Sequence, residues 1–172
     1  IYTTPWDNYL IMRGVWTYPT GGVVGVLGYV PIEEYFFMIL QATLAGVLWT
    51  IWVPHCQCIK LRFSYNGLLM ALLVGLVGAL SLMHTAGTYI GLILIWASPP
   101  LALQWGLGSH ALIVSFKTWA PLWLSLSAYL SMADYYAISN GIWSITPETR
   151  TGWEIGRLPV EEILFFTLTN LF

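Results

Sequence analysis

Gly28-Tyr29-Val30-Pro31-Ile32-Glu33-Glu34-Tyr35-Phe36-Phe37 opens an apolar run that lasts to about Val53. Gly156-Arg157-Leu158-Pro159-Val160-Glu161-Glu162-Ile163-Leu164-Phe165 opens another near the end of the chain. Both read G-x-x-P-x-E-E-x-x-F. Upstream of each stands a second shared pattern, Asp7, Gly14 and Trp16 before the first and Asp134, Gly141 and Trp143 before the second. Asp and Gly are seven positions apart in both copies, and Asp and Trp nine. Asp and Pro are 24 positions apart in one copy and 25 in the other, so one inserted loop residue aligns the two. Agreement at eight spaced positions marks an internal repeat, one copy at about 1–53 and the other at about 119–172.

The composition around this repeat is that of helices in lipid. The 172 residues are 58% hydrophobic, 16% aromatic and only 8% charged, with a mean hydropathy of +0.72. Soluble domains carry about 25% charged residues, which they need to cover their surface. That excludes a soluble enzyme and a disordered chain. A net charge of −2 leaves no basic face for nucleic acid. Two cysteines, Cys56 and Cys58, cannot staple a secreted scaffold. The expected fold is an all-α, polytopic transmembrane helix bundle forming one membrane domain over 1–172, multi-pass and integral to the bilayer.

Full spans are expected at Pro31–Val53, Gly67–His84, Tyr89–Trp105 (kinked at Pro99-Pro100) and Trp119–Ala137. A polar loop, Pro54–Asn66, and a link, Gly106–Thr118, separate them. Ile1–Gly14 and Leu158–Phe172 fall short of the roughly 20 residues a span requires and read as helices cut by the ends of the chain. An even number of crossings lies between the two motif copies, so both emerge on one side. The copies are then parallel, related by a pseudo-two-fold axis along the membrane normal. Asp7, Glu33, Glu34, Asp134, Glu148, Glu154, Glu161 and Glu162, which are all eight acids, fall on that side. Lys and Arg divide evenly between the sides, so the positive-inside rule sets no orientation.

Acidic residues in a first helical turn can serve the helix dipole alone. A doubled Pro-x-Glu-Glu inside a nearly uncharged bundle asks for more, because ionisable groups at membrane depth mark function. Neighbours on a helix point about 100° apart, so the two glutamates of a pair face different surroundings. Glu33 shares a stripe with Phe37 and Leu40, and Glu161 with Phe165 and Leu168, which suits an apolar cavity. Glu34 leads to Gln41 and Glu162 to Thr169, which suits hydrogen bonding between helices. Asp7 and Asp134 sit one turn inside the ends of their helices, near the glutamates if the hairpins close. Carboxyl groups gathered in low dielectric cannot all ionise, and a retained proton is what a general acid requires. Most of the tryptophans and tyrosines suit an interfacial belt, but Trp16 and Trp143 recur in the repeat and are candidates for a site. Aromatic faces attract cations, more strongly when desolvated. Gly106–Ala111 matches G-x-G-x-x-A without a preceding strand, so no dinucleotide is expected. His55, Cys56 and Cys58 lack a fourth ligand, so no metal is expected.

Pro5–Ile11, Gly14-Val15-Trp16, Pro31–Phe37, Leu101–Trp105 and Leu158–Phe166 closely resemble the membrane-integral, non-flavin lycopene cyclases. That family occurs as bacterial heterodimers, as single archaeal chains and as the N-terminal half of bifunctional fungal enzymes. Its motif P-x-E-(E/D) matches Pro31–Glu34 and Pro159–Glu162 in full. Because the pattern allows Asp only in the second acidic place, Glu33 and Glu161 are the stricter pair. No aspartate-rich prenyl-transfer motif is present, although the resemblance allows fusion to, or association with, a phytoene synthase.

The resemblance implies conversion of lycopene, drawn from the bilayer with other carotenoids, into γ- and β-carotene. No cofactor is expected. The residues suit the chemistry: a protonated carboxyl protonates the terminal alkene, the next double bond closes a six-membered ring on the tertiary cation, and a carboxylate removes a ring proton. Candidate catalytic groups are Glu33, Glu34, Glu161, Glu162, Asp7 and Asp134. Trp16, Trp143, Phe37 and Phe165 are candidates for binding the substrate and steadying the cation. The competing readings are a proton-coupled transporter and a non-catalytic carotenoid-binding scaffold. Transporter sites lie near the midplane, whereas the acids here gather at one end. A scaffold would have no need of paired glutamates.

Overall fold

The computed structural model describes residues 2–19, 21–53 and 61–172. His55, Cys56 and Cys58 lie outside them. Among the described residues there are six α-helices: α1 (Thr4–Met12), α2 (Ile32–Trp52), α3 (Tyr65–Ser81), α4 (Thr88–Val114), α5 (Phe116–Ser139) and α6 (Val160–Thr169). Length and composition make α2 and the run Thr85–Val114 able to cross a membrane, while α3 is shorter. Helices form where the apolar runs put them, with Pro31 just outside α2 as its N-cap.

One boundary is corrected. The expected link Gly106–Thr118 is mostly helix: α4 passes through Pro99-Pro100 to Val114, and only Ser115 separates it from α5. Two prolines remove the amide donors that Ile95 and Trp96 carbonyls would otherwise receive. Both carbonyls find substitutes, Ile95 from the Ser98 hydroxyl at 3.1 Å and Trp96 from the Tyr2 hydroxyl at 2.6 Å. The freed acceptors are therefore satisfied and the helix runs on. The G-x-G-x-x-A match lies inside this helix and forms no phosphate loop.

α3 and α4 form a tight antiparallel hairpin turned by a short 3-10 segment, Thr85–Gly87. Glycines let the two backbones touch: a Cβ on Gly78 would stand 2.9 Å from the Gly91 carbonyl. α1 is tied to α4 by the Trp6 indole N–H, which donates to the Leu92 carbonyl at 3.1 Å. The Trp6 ring stacks between Trp96 and Phe165, with centroids 5.0 and 5.5 Å away. This aromatic pile, with Leu10, Tyr89, Ile93, Leu101 and Leu130, forms the core. α2 stands at its side without a single buried residue.

The described residues are mostly helical, as an all-α fold requires, and three two-residue ladders accompany the helices among them. β2 (Val26–Leu27) pairs with β3 (Val30–Pro31), and β5 (Glu154–Ile155) with β6 (Leu158–Pro159), each just before a Glu-Glu helix. Each hairpin turns through two residues whose first is a glycine of positive φ, Gly28 at +70° and Gly156 at +69°. Such turns match the twist of paired strands. β1 (Trp16–Thr17) pairs antiparallel with β4 (Ser144–Ile145), placing Thr17 opposite Ser144, the corresponding residue of the other motif copy. Their hydroxyls meet at 2.8 Å.

Candidate active site

Each Pro-x-Glu-Glu begins its helix directly after the hairpin, so its two carboxyls leave the helix about 100° apart. Glu33 turns outward and accepts the Val24 amide N–H at 2.6 Å. Glu161 is fully buried, and one of its oxygens accepts both the amide N–H and the hydroxyl of Thr151, each at 2.6 Å. Both side chains thus reach back nine or ten residues to fasten the loop that precedes their helix. These donors satisfy Oε1 of Glu161, while its Oε2 finds no donor among the described residues.

Glu34 and Glu162 turn the other way, toward Asp7 of α1, Asp134 of α5 and Tyr89 of α4. Asp7, Asp134 and Glu162 are buried. The Trp143 indole N–H donates to Asp134 Oδ1 at 3.0 Å, and the Tyr89 hydroxyl donates to Glu162 Oε1 in a short hydrogen bond. Asp134 and Glu162 line one and the same cavity. Among the described residues, Asp7 Oδ2 and Asp134 Oδ2 find no N–H or O–H donor. Tyr18, in the loop after β1, sits in the field of all four acids. Burial first, and then Glu34, Asp7, Glu162 and Asp134, push its phenol well above the ordinary tyrosine value, so it stays neutral.

Two cavities meet at this cluster. The smaller, about 320 Å³, is lined by Glu34, Asp134 and Glu162 together with Trp16, Tyr18, Phe37, Trp143, Phe165 and Phe166, and Glu33 lies at its edge. The larger, about 690 Å³, runs between α2 and the helices facing it, from Asp7 and Glu34 past Gln41 to Trp49 and Trp119. Glu34, Phe37 and Phe165 line both. Trp16 meets Trp143 edge to face at 5.6 Å and Phe165 at 6.3 Å. All four aromatic candidates therefore border the smaller cavity, whereas Asp7 borders the larger one and Glu161 borders neither.

The arrangement differs from the sequence reading in one respect. Phe37 and Phe165, on the stripe of Glu33 and Glu161, line both cavities and Glu33 borders the smaller one, but the Glu33 and Glu161 carboxyls fasten loops, and Glu34 and Glu162 enter the cluster. Tyr89 was missed because it lies outside both motif copies. A signal existed: the crossing count puts the Thr85–Thr88 turn at the acid end, so a tyrosine one residue into α4 had to lie near the carboxyls. Among the described residues no group of three His, Cys, Asp or Glu side chains could hold a metal ion.

This constellation can donate a proton, receive one, and surround a cation with aromatic faces away from bulk water. No family model and no solved structure matches the chain. A lycopene beta-cyclase of Halobacterium salinarum is 45% identical over 175 residues, covering 99% of this chain and 73% of that protein. A bifunctional lycopene cyclase/phytoene synthase of Aspergillus niger is 34% identical over 183 residues, covering 98% of this chain and 31% of the fungal protein. The enzyme of the same name from Gibberella fujikuroi is 36% identical over 186 residues, again across 31% of its length.

Proposed function

Since the chain belongs to the lycopene beta-cyclase family, we propose that its acid-lined smaller cavity is where a β-ring is closed on the ψ-end of lycopene. The protein acts in carotenoid biosynthesis as a cyclase, an intramolecular lyase or isomerase without net redox change. One observation carries the placement: carboxyls from α1, α2, α5 and α6 converge where Trp16, Trp143, Phe37 and Phe165 gather.

In this reading Glu34, Glu162, Asp134 and Asp7 handle protons. A carboxyl gives H⁺ to the terminal alkene carbon, leaving a tertiary cation. The next double bond attacks that cation, a six-membered ring closes, and a carboxylate takes the proton from the ring carbon as the new double bond forms. One proton enters and one leaves, so the hydrocarbon is isomerised. The aromatic rings steady both cations and keep out water, which would otherwise capture a cation as an alcohol. Glu33 and Glu161 hold the loops over the site.

The membrane reading follows the same lines. The helices form one multi-pass domain over 1–172, with parallel copies at about 1–53 and 119–172 turned about an axis near the Thr17–Ser144 pair. The polyene enters laterally from the bilayer and lies in the larger cavity alongside α2. Association with a phytoene synthase is proposed on the ground that the fungal relatives join the two activities in one chain. Expression in a lycopene-accumulating host tests the function: β-ring products are expected, and unchanged lycopene beside abundant membrane-inserted protein would remove it.

A further inference from the structure

Tyr89 is fully buried, opens α4 at the acid end, and donates its hydroxyl to Glu162. Asp134, which lines the same cavity as Glu162, receives the Trp143 indole N–H at 3.0 Å. The second-copy carboxyl pair is therefore clamped by a neutral donor on each of its members. The first-copy pair has no such clamp. Trp16, the counterpart of Trp143, does not reach Asp7. Its indole N–H finds no partner among the described residues, and its ring lies edge to face with Tyr89 at 6.1 Å. Glu34 meanwhile borders both cavities.

The geometry points to a division of labour between the copies, in which the clamped pair Asp134–Glu162 supplies the starting proton, Glu34 removes the ring proton, and Tyr89 is the positioning residue of the acid. This rests on the cyclase reading above. When the proton passes to the terminal alkene carbon, the charge left on the two carboxylates is held by the Tyr89 hydroxyl and the Trp143 indole, which need not move. The ring then closes, the proton on the ring carbon goes to Glu34 as the ring double bond forms, and before the next turnover Glu34 releases that proton to solvent while the acid pair takes one up from solvent. Atoms and charge balance over the cycle. The two donors single out Asp134–Glu162, because they stabilise the state after the proton has left.

The test is Tyr89→Phe in the full-length protein, assayed with lycopene in liposomes. The variant keeps the ring and its packing but lacks the hydroxyl. The expected result is a kcat lower by about 10-fold or more, an unchanged KM, and a larger solvent deuterium isotope effect on kcat as proton donation becomes limiting. A variant with the parent's kcat and isotope effect overturns the proposal, and so does a slower one whose isotope effect is unmoved. If Tyr89→Phe does not accumulate in the membrane, 3,5-difluorotyrosine at position 89 provides the second measurement. It is nearly the same size and a stronger donor, so kcat should hold or rise with a smaller isotope effect, and an unmoved isotope effect overturns the assignment. Inactive Glu162→Gln beside fully active Tyr89→Phe removes Tyr89 alone. Fully active Glu162→Gln and Glu34→Gln variants remove the acid–base reading beneath it.

Discussion

Glu33 and Glu34 are adjacent in the chain, yet one fastens a loop and the other borders two cavities. The same split separates Glu161 from Glu162. Glutamine is nearly isosteric with glutamate but cannot exchange a proton in the same way, so it distinguishes the two uses. Glu34→Gln and Glu162→Gln are expected to accumulate as the parent does while ring formation is lost, read as the ratio of lycopene to cyclic products. Glu33→Gln is expected to keep cyclising, since its amide oxygen can still accept the Val24 N–H. Glu161→Gln should lower thermal stability in detergent by about 1–3 kcal/mol, because a buried acceptor of two hydrogen bonds is weakened and an N–H is buried beside it. Loss of cyclisation in Glu33→Gln with intact activity in Glu34→Gln would reverse these assignments. The repeat revealed which residues gather at one end. It could not reveal which glutamate of each pair faces inward, because that is fixed by where α2 and α6 rest against their neighbours, and no stripe of the sequence records it.

At the scale of elements, the apolar runs revealed the helices, and the doubled motif revealed which helix ends carry the acids. The continuation of α4 past Gly106 was not legible, since two prolines and two glycines in sequence ordinarily signal an interruption. It depends on Tyr2, remote in the chain, giving its hydroxyl to Trp96. Tyr2→Phe should therefore cost about 1 kcal/mol and speed amide exchange around Pro99-Pro100, measurable by hydrogen–deuterium exchange. Unchanged exchange there would mean the helix needs no such replacement. The hairpins were equally hidden, because two-residue strands have no period to read. Their glycines can be tested directly. Alanine at Gly156 must adopt a left-handed conformation, at roughly 1–2 kcal/mol, and its Cβ would stand 3.0 Å from the Tyr135 ring. Gly28→Ala adds a collision with the Asn8 side-chain oxygen, which receives the Tyr29 amide at 2.8 Å. Both variants should melt earlier than the parent, Gly28→Ala the more so, and equal melting temperatures would show that these turns carry little of the fold's stability.

Across the whole molecule, few charges, a one-ended cluster of acids and a doubled motif belong to one design: a hydrocarbon substrate requires an apolar container, and proton chemistry requires only a small polar patch within it. The composition made the container legible, and the repeat made the patch legible. Tyr89 and the exact division of the glutamates emerge only when six helices are brought together. The central claim is that a carboxyl proton starts ring closure and that no electrons are exchanged. The most direct measurement is cyclisation of lycopene in D₂O by the purified full-length protein, equilibrated beforehand in the same solvent and stripped of flavin and nicotinamide, with the product mapped by mass spectrometry and NMR. One deuterium per ring closed, at the ring carbon that had been the terminal alkene carbon, is the expected result; a β-ring formed without deuterium at that carbon would contradict it.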